Sequence, residues 1–480
     1  MVGVRNIVYP PNQETLPATP MCAQRRIDAC GARHATRPPR RVSTRHVLAF
    51  GAALLLVTSA LVAQLSTSRI DFQFSNPGAR SLGMGGAFLA LADDATAAYA
   101  NPAGLVQLTR SEVSIEFRSW DFATPFLAGG RISGTPTGIG IDTIDGPVLG
   151  RDESSDSAVS FASFVYPLTD WTFAVHHHQV ALLDLSNESL GFFFDSSFFG
   201  RFPPIRQQSF LDLTNTGLSA AWQATEKLSL GVSLIATQGR LSSTGELFAV
   251  FKAVEDEPDD LSFLYGPIDH DFDPSLIFVR AQNSMDDSGF AFNLGSLWRA
   301  SEEWTAGLVY RRGARLEGMT VQRDFPTPGC ANDPVCSTDP AIEERFASVF
   351  NVPTVVAAGI AYQPRPGKLT LALEVDHVGY ACLITLDDCE EDDPPPIDFP
   401  TTSDATELRF GAEYALLERR PLIAFRAGWW ADSRPRDLVP ADDEHYTIGL
   451  GVAGERVQID LAVDFAENVD TLSLSAVYRF

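Results

Sequence analysis

Several groups of residues have types and spacings that could do chemistry. The stretch LGMGGAFLALADDATAAYANPAGLVQL (82–108) joins a glycine cluster to an acidic pair and an Asn-Pro-Ala-Gly turn. A dinucleotide loop needs G-x-G-x-x-G opening the helix of a βαβ unit. Here Phe88 stands in the place of the third glycine and no such unit follows. His176, His177 and His178 invite a metal, but neighbours in a strand point to opposite faces, so only His176 and His178 share one. Two ligands do not make a site. Cys330 with Cys336, and Cys382 with Cys389, sit in or beside polar segments with no histidine at ligand spacing. That favours two short-loop disulfides over zinc. Neither G-x-S-x-G nor H-E-x-x-H occurs, so the chain reads as a non-enzyme without cofactor or metal.

The elements that would position these residues begin with a leader. Residues 47–63, VLAFGAALLLVTSALVA, follow the basic stretch RPPRRVSTRH and end in small residues, the pattern of a secretory signal. Residues 1–46, rich in proline and arginine, read as disordered. Removing 1–63 takes 8 of 36 basic and 2 of 61 acidic residues, leaving a net charge near −31. So acidic a chain does not bind nucleic acid, which requires a basic surface.

From residue 111 onward the dominant signal is period-two alternation. In RVQIDLAVDF, Val457, Ile459, Leu461, Val463 and Phe465 share one face, opposite Gln458, Asp460 and Asp464. Such runs number about fourteen. Short turns such as 169–170, 225–227 and 454–456 alternate with long polar links such as 242–287 and 319–351. An even strand count with short turns at one end and long loops at the other predicts a closed, antiparallel transmembrane β-barrel, all-β, over 111–480. Trp120, Trp171, Trp222, Trp304, Trp429 and Trp430 near strand ends are expected to form interfacial girdles, and Phe480 ends the last strand in an aromatic. The outer membrane of a diderm bacterium is the expected location, its lipids and insertion machinery the expected partners, and a monomer the expected state.

Between leader and barrel, residues 64–110 are small, glycine-rich and do not alternate. A fourteen-stranded lumen is wide enough to need a plug, so this segment predicts an N-terminal hatch. Gly83, Gly85 and Gly86 would let its backbone pack tightly, Asp93 and Asp94 would cap a short helix, and Pro102 would fix the turn after it. Arg118, Arg409 and Arg426 fall on inward strand faces. They could hold a carboxylate headgroup, or pair with acids such as Glu116, Glu374, Asp376, Glu407 and Glu413. The loop NESLGFFFDSSFFGRFPPIRQQSF holds Phe192, Phe193, Phe198 and Phe199, a density that reads as a capture or membrane-dipping loop, with packing on the barrel rim as the other use.

The stretch ARSLGMGGAFLALADDATAAYANPAGL, with Asn101, Pro102 and Ala103, resembles the hatch of the FadL-type outer-membrane transporters of hydrophobic compounds. So do 289–318, 351–364 and 425–454, while the loops at 184–208 and 242–287 find no counterpart. The resemblance implies uptake of long-chain fatty acids or hydrocarbons, gated by the hatch and released sideways through a wall gap. The other function carried forward is a non-transporting barrel that serves protein secretion or surface anchoring. A general porin is disfavoured by the plug.

Overall fold

The computed structural model describes residues 76–480 apart from 133, 135–145, 194–200, 249–275, 326–341, 365–366, 382, 386–403 and 433–443. The four cysteines, Phe198, Phe199 and the leader lie outside the described residues.

The described residues open with a segment where the hatch is expected: a one-turn helix α1 (Ala79–Leu82), a second, α2 (Ala97–Ala100), and a 3-10 turn over Pro102–Gln107. Nineteen strands follow among the described residues. They are β1 (Glu112–Gly130), β2 (Pro147–Pro167), β3 (Trp171–Ser189), β4 (Phe192–Phe193), β5 (Arg201–Phe202), β6 (Ile205–Gln223), β7 (Leu228–Phe248), β8 (Ile277–Arg299), β9 (Trp304–Arg312) and β10 (Arg315–Asp324). The rest are β11 (Ile342–Asn351), β12 (Val355–Tyr362), β13 (Leu369–Val378), β14 (Ile384–Thr385), β15 (Ala405–Leu416), β16 (Leu422–Asp432), β17 (Glu444–Ala453), β18 (Val457–Phe465) and β19 (Val469–Arg479). β4 and β5 form a separate small hairpin. The others make one antiparallel sheet that closes where β1 pairs with β19, Glu112 opposite Arg479. Three staves are broken in two (β9–β10, β11–β12, β13–β14), so the barrel has fourteen, as expected.

The alternation of β18 comes out as read, with Val457, Ile459, Leu461 and Phe465 exposed and Gln458, Asp460 and Asp464 buried in the lumen. The apolar face therefore meets lipid. Nine residues of a strand tilted by about 40° rise roughly 20–25 Å, the height of the apolar band of such barrels. Trp171, Trp222, Trp298 and Trp304 are exposed beside the short turns, with the Trp171 and Trp222 rings stacked 6.0 Å apart. Two of the expected girdle residues point the other way: Trp120 and Trp430 are buried. They share the inward register of Arg118 and Arg426, which decides their side of the wall whatever their height.

The strands run further than their alternation suggests. β2 starts at Pro147 and β8 at Ile277, and β11 lies inside what reads as a long loop. Above the lipid both faces of a strand are wetted, so hydrophobic alternation fades while pairing continues.

Candidate functional site

The hatch sits within the barrel on bare backbone. Three cross-strand glycine pairs face it: Gly231 with Gly295, Gly307 with Gly359, and Gly411 with Gly428. Each receives one hatch turn. A Cβ at Gly231 would collide with Pro102 and Ala103, and one at Gly295 would fall 3.0 Å from Pro102 Cδ. At Gly307 it would meet Leu89 Cδ2 at 2.6 Å, and at Gly411 and Gly428 it would collide with Met84 and Gly85. Gly449 abuts Gly83 in the same way, its added Cβ 3.1 Å from Gly83 Cα. Mid-strand glycine weakens a sheet and marks close backbone approach, and here that approach is the seat of the hatch. Gly85 and Gly86 themselves have φ of 65° and 76°, a turn that other residues rarely adopt.

Polar groups lock the seated segment. Glu374 Oε2 accepts the backbone N–H groups of Phe88 and Leu89, each at 2.8 Å, while its Oε1 accepts Asn76 Nδ2 at 3.3 Å. Gly85 N donates to Thr447 Oγ1 at 3.0 Å, and Gly78 N to Glu116 Oε2 at 2.9 Å. Arg80 is held between Asp93 and Glu413. Asn101 caps the 3-10 turn by accepting from Ala103 N at 3.1 Å, and donates to Leu89 O at 3.0 Å. The expected acidic cap does not form: α2 has Thr96 at its N-cap and no side-chain cap hydrogen bond. Asp94 accepts Thr96 N at 2.9 Å just before α2, whereas Asp93 pairs with Arg80. Burial holds the Asp94 carboxyl above its ordinary range, partly offset by Arg80.

The three arginines singled out by sequence face inward and are buried. Arg118 binds Glu116 at 2.7 Å. Arg409 binds Asp376 at 3.1 Å and Glu407, and also donates to Gly85 O at 3.3 Å. Arg426 bridges Glu413 at 2.6 Å and Asp460 at 2.7 Å. Arg311, which sequence did not single out, differs. It donates to the neutral acceptors Asn76 Oδ1 and Ala100 O, both at 2.7 Å, and its Nε has no acceptor. Its guanidinium lies 5.2 Å from the Tyr99 ring centroid. His178 packs edge-on against the same ring at 4.4 Å, and His176 and His178 do share the inward face, each with one ring nitrogen unpartnered. Arg311, Tyr99 and the two histidines thus form a polar spot beside an apolar surface.

That surface is the lumen above the hatch. Leu89 and Tyr99 of the hatch join Phe161, Leu213, Ile235, Val309 and further wall residues in one buried apolar cluster. The wall beside it is incomplete. β2 and β3 pair from Pro167 opposite Thr172 to Phe161 opposite His178, and there the ladder stops, although both strands continue upward. Past that point β2 pairs with β1 and β3 with β6. Asp152 Oδ2 accepts Ser186 N at 2.7 Å across the break. Phe161, Val180 and Leu183 line it from the lumen.

At the loop end, Phe192 and Phe193 are buried in the β4–β5 hairpin. Phe192 packs with Leu127, Ile205, Leu247 and Val279, and Arg131 lies 4.9 Å from the Phe193 ring centroid.

Sequence reading missed Asn76, Arg80, Thr447, Arg311 and the glycine belt. The belt had a signal: Gly307, Gly359, Gly411 and Gly428 each occupy an inward position in mid-strand.

A model of the family described as outer membrane protein transport protein (OMPP1/FadL/TodX) matches residues 60–468. No curated protein matches the chain. Among solved structures, a Pseudomonas aeruginosa FadL homologue superposes with a TM-score of 0.57 at 17% identity, covering 86% of this chain and 100% of its own. The P. putida toluene transporter TodX gives 0.54 at 15%, with 85% and 99% covered. The Ralstonia pickettii toluene transporter TbuX gives 0.51 at 18%, again with 85% and 99% covered. At these identities the likeness is one of fold.

Proposed function

We propose that this chain, which belongs to the outer membrane protein transport protein family (OMPP1/FadL/TodX), takes up small hydrophobic molecules across the bacterial outer membrane. The observation that carries the reading is the apolar cluster above a closely seated hatch, with the β2–β3 break beside it. A solute that enters the lumen from outside meets a floor of Leu89 and Tyr99 and an apolar side exit at the top of the lipid belt. Leaving sideways spares it the aqueous periplasm, and burying its apolar surface favours each step at about 25 cal/mol per Å².

The substrates are hydrocarbons or long-chain fatty acids. Solved channels of this fold include a toluene transporter and a monoaromatic hydrocarbon channel, and aromatics of that kind suit a lumen lined by Tyr99, Phe161 and Trp120. Arg311 and His178 would receive the polar end of any substrate that has one. Arg118, Arg409 and Arg426, already engaged by carboxylates, serve instead to hold the hatch seat. The Phe192–Phe193 hairpin shapes the mouth.

The hatch gates in place. A disulfide between Asn101→Cys and Gly295→Cys, which touch in the native seat, should slow uptake of labelled toluene and of a labelled fatty acid several-fold in a deletion strain, with recovery on reduction. Wild-type uptake no faster than that of the empty strain would end the transport reading and favour a secretion or anchoring scaffold. Uptake that is intact but indifferent to the lock would end only the gating.

A further inference from the structure

The β2–β3 break has a counterpart four staves away. β8 pairs with β9 from Arg299 opposite Thr305 to Phe292 opposite Arg312, and with β10 only from Ser284 opposite Met319 upward. Residues 285–291 of β8 and 313–318 of the kinked neighbour are left out of the ladder between them. The kink folds inward. Leu316 reaches over β8 to touch Gly239 of β7, and the Arg315 carbonyl oxygen would lie 2.7 Å from a Cβ on Gly289. The segment thus overlies the inner face of β8 as a flap rather than continuing the wall.

Two further staves break at the same level, and the three kinks are hydrogen-bonded to one another. Val352 N donates to Ala314 O at 2.9 Å, Gly379 N to Thr354 O at 2.9 Å, and Asn351 N to Leu383 O at 2.9 Å. These bonds tie the three kinks to one another, while β9 and β10 stay paired with β8 on either side of the break. Across the break itself, Glu317 N donates to Asp287 Oδ2 at 2.8 Å. This is the device seen at the β2–β3 break, where Asp152 caps Ser186 N: an aspartate satisfies an amide that the missing ladder would leave orphaned.

The lumen side of the break is mainly apolar, and its outer side pairs the apolar Phe290 with the exposed charges of Asp286, Arg315 and Glu317. On the lumen side Met285, Ala291, Ala314 and Leu316 belong to the same buried cluster that Phe161 and Val180 join at the β2–β3 break. On the lipid side Phe290 is 89% exposed, more than any other large apolar side chain among the described residues; β7 pairs beside it, but its other edge has no ladder partner. Among the residues at the edge Ser288, Gly289, Gly313, Ala314 and Gly318 are small. Phe290 and Phe292 close the apolar belt of β8, with Ser288 and Asp286 above, so the break opens at the outer-leaflet boundary.

We propose that the β8–β10 break is a second lateral portal, through which neutral hydrophobic molecules pass between the lumen and the outer leaflet when the linked kinks swing off β8. The inference rests on the transport reading above and adds a route to it. A neutral solute fits the methyl and thioether groups of Met285, Ala291, Ala314 and Leu316 on the lumen side, while the Asp287 carboxylate, tied to Glu317 N, gives no counter-charge to an anionic headgroup.

The test staples the flap. A Cβ on Gly289 would stand 3.0 Å from Ala314 Cβ and 2.7 Å from Arg315 O, inside the roughly 3.5–4.5 Å of a disulfide, so Gly289→Cys with Ala314→Cys should cross-link under oxidation once the kink gives by several tenths of an ångström. A second staple, Met285→Cys with Gly318→Cys, uses an approach of 3.1 Å and serves if the first fails to assemble. Folded barrel is verified by heat-modifiable mobility, and uptake of labelled toluene is timed in a deletion strain. Oxidation should slow uptake at least twofold, reduction should restore it, and Asp287→Ala, which removes the strap, should raise it. Equal rates in oxidised and reduced protein, or a lower rate in Asp287→Ala, would overturn the portal. If the unstapled wild type takes up nothing, the transport reading itself falls.

Discussion

Gly428 of the wall and Gly85 of the hatch touch backbone to backbone, with no room for a methyl group between them. Neither glycine is a flexible link here. Each is a removed side chain, and together they let a turn of the hatch lie flush on a strand. The wall gives up sheet stability at three glycine pairs, and the hatch recovers it through contacts that only a bare backbone permits.

Gly428→Val should therefore unseat the first hatch turn while leaving the barrel closed. Overpacking of this kind costs about 1–3 kcal/mol. Because the collision is with Gly85 N rather than a movable side chain, the upper end applies. Amide exchange of residues 83–90 should accelerate at least tenfold with little change in β15 to β17; unchanged protection at 83–90 would remove the glycine seat from the account.

Arg409→Ala should weaken uptake of a carboxylate and of a hydrocarbon equally. Its guanidinium neutralises Asp376 and Glu407 and holds Gly85 O, so its loss removes one counter-charge shared by two buried carboxylates, at about 3–5 kcal/mol. A selective loss of carboxylate uptake would instead assign it to the headgroup. The contrasting variant is Arg311→Gln, which should penalise a fatty acid more than toluene.

Phe192→Asp should open the mouth without harming assembly. The side chain is buried among Leu127, Ile205, Leu247 and Val279, and a charge there costs several kcal/mol unless the hairpin leaves. Limited proteolysis should gain a cut within 190–204, uptake should fall, and the yield of folded barrel should hold. Loss of folded barrel would mean that the hairpin is structural alone.

Asp94 gives the hatch a pH dependence of definite sign. Burial, more than any other influence, raises its carboxyl above the ordinary value, which is about 3.9 in an unfolded chain. The contribution of this group is complete below that ordinary value and is lost as pH rises through the raised one. Exchange protection of residues 93–100 should fall over that interval. Asp94→Asn, which can still accept from Thr96, should flatten the profile and protect the segment more at neutral pH. Protection that rises with pH in the wild type would contradict the assignment.

Sequence alone determined the barrel, because a strand between lipid and a polar lumen must alternate every second residue, and β18 or β19 can be read directly as such. It also led to the expectation of a hatch over residues 64–110, because that segment is small, glycine-rich and without alternation. The inward arginines and their carboxylate partners followed from the same period. It did not determine where the wall fails to pair. Alternation is a property of one strand, whereas the β2–β3 and β8–β10 breaks are properties of two, decided by register and by the inward kinks near Gly313, Val352 and Gly379. Nor could it join Glu374 to the amides of Phe88 and Leu89, or Arg311 to Tyr99 and His178. Those contacts span long separations in the chain, and only closure of the barrel around the hatch brings them within bonding distance.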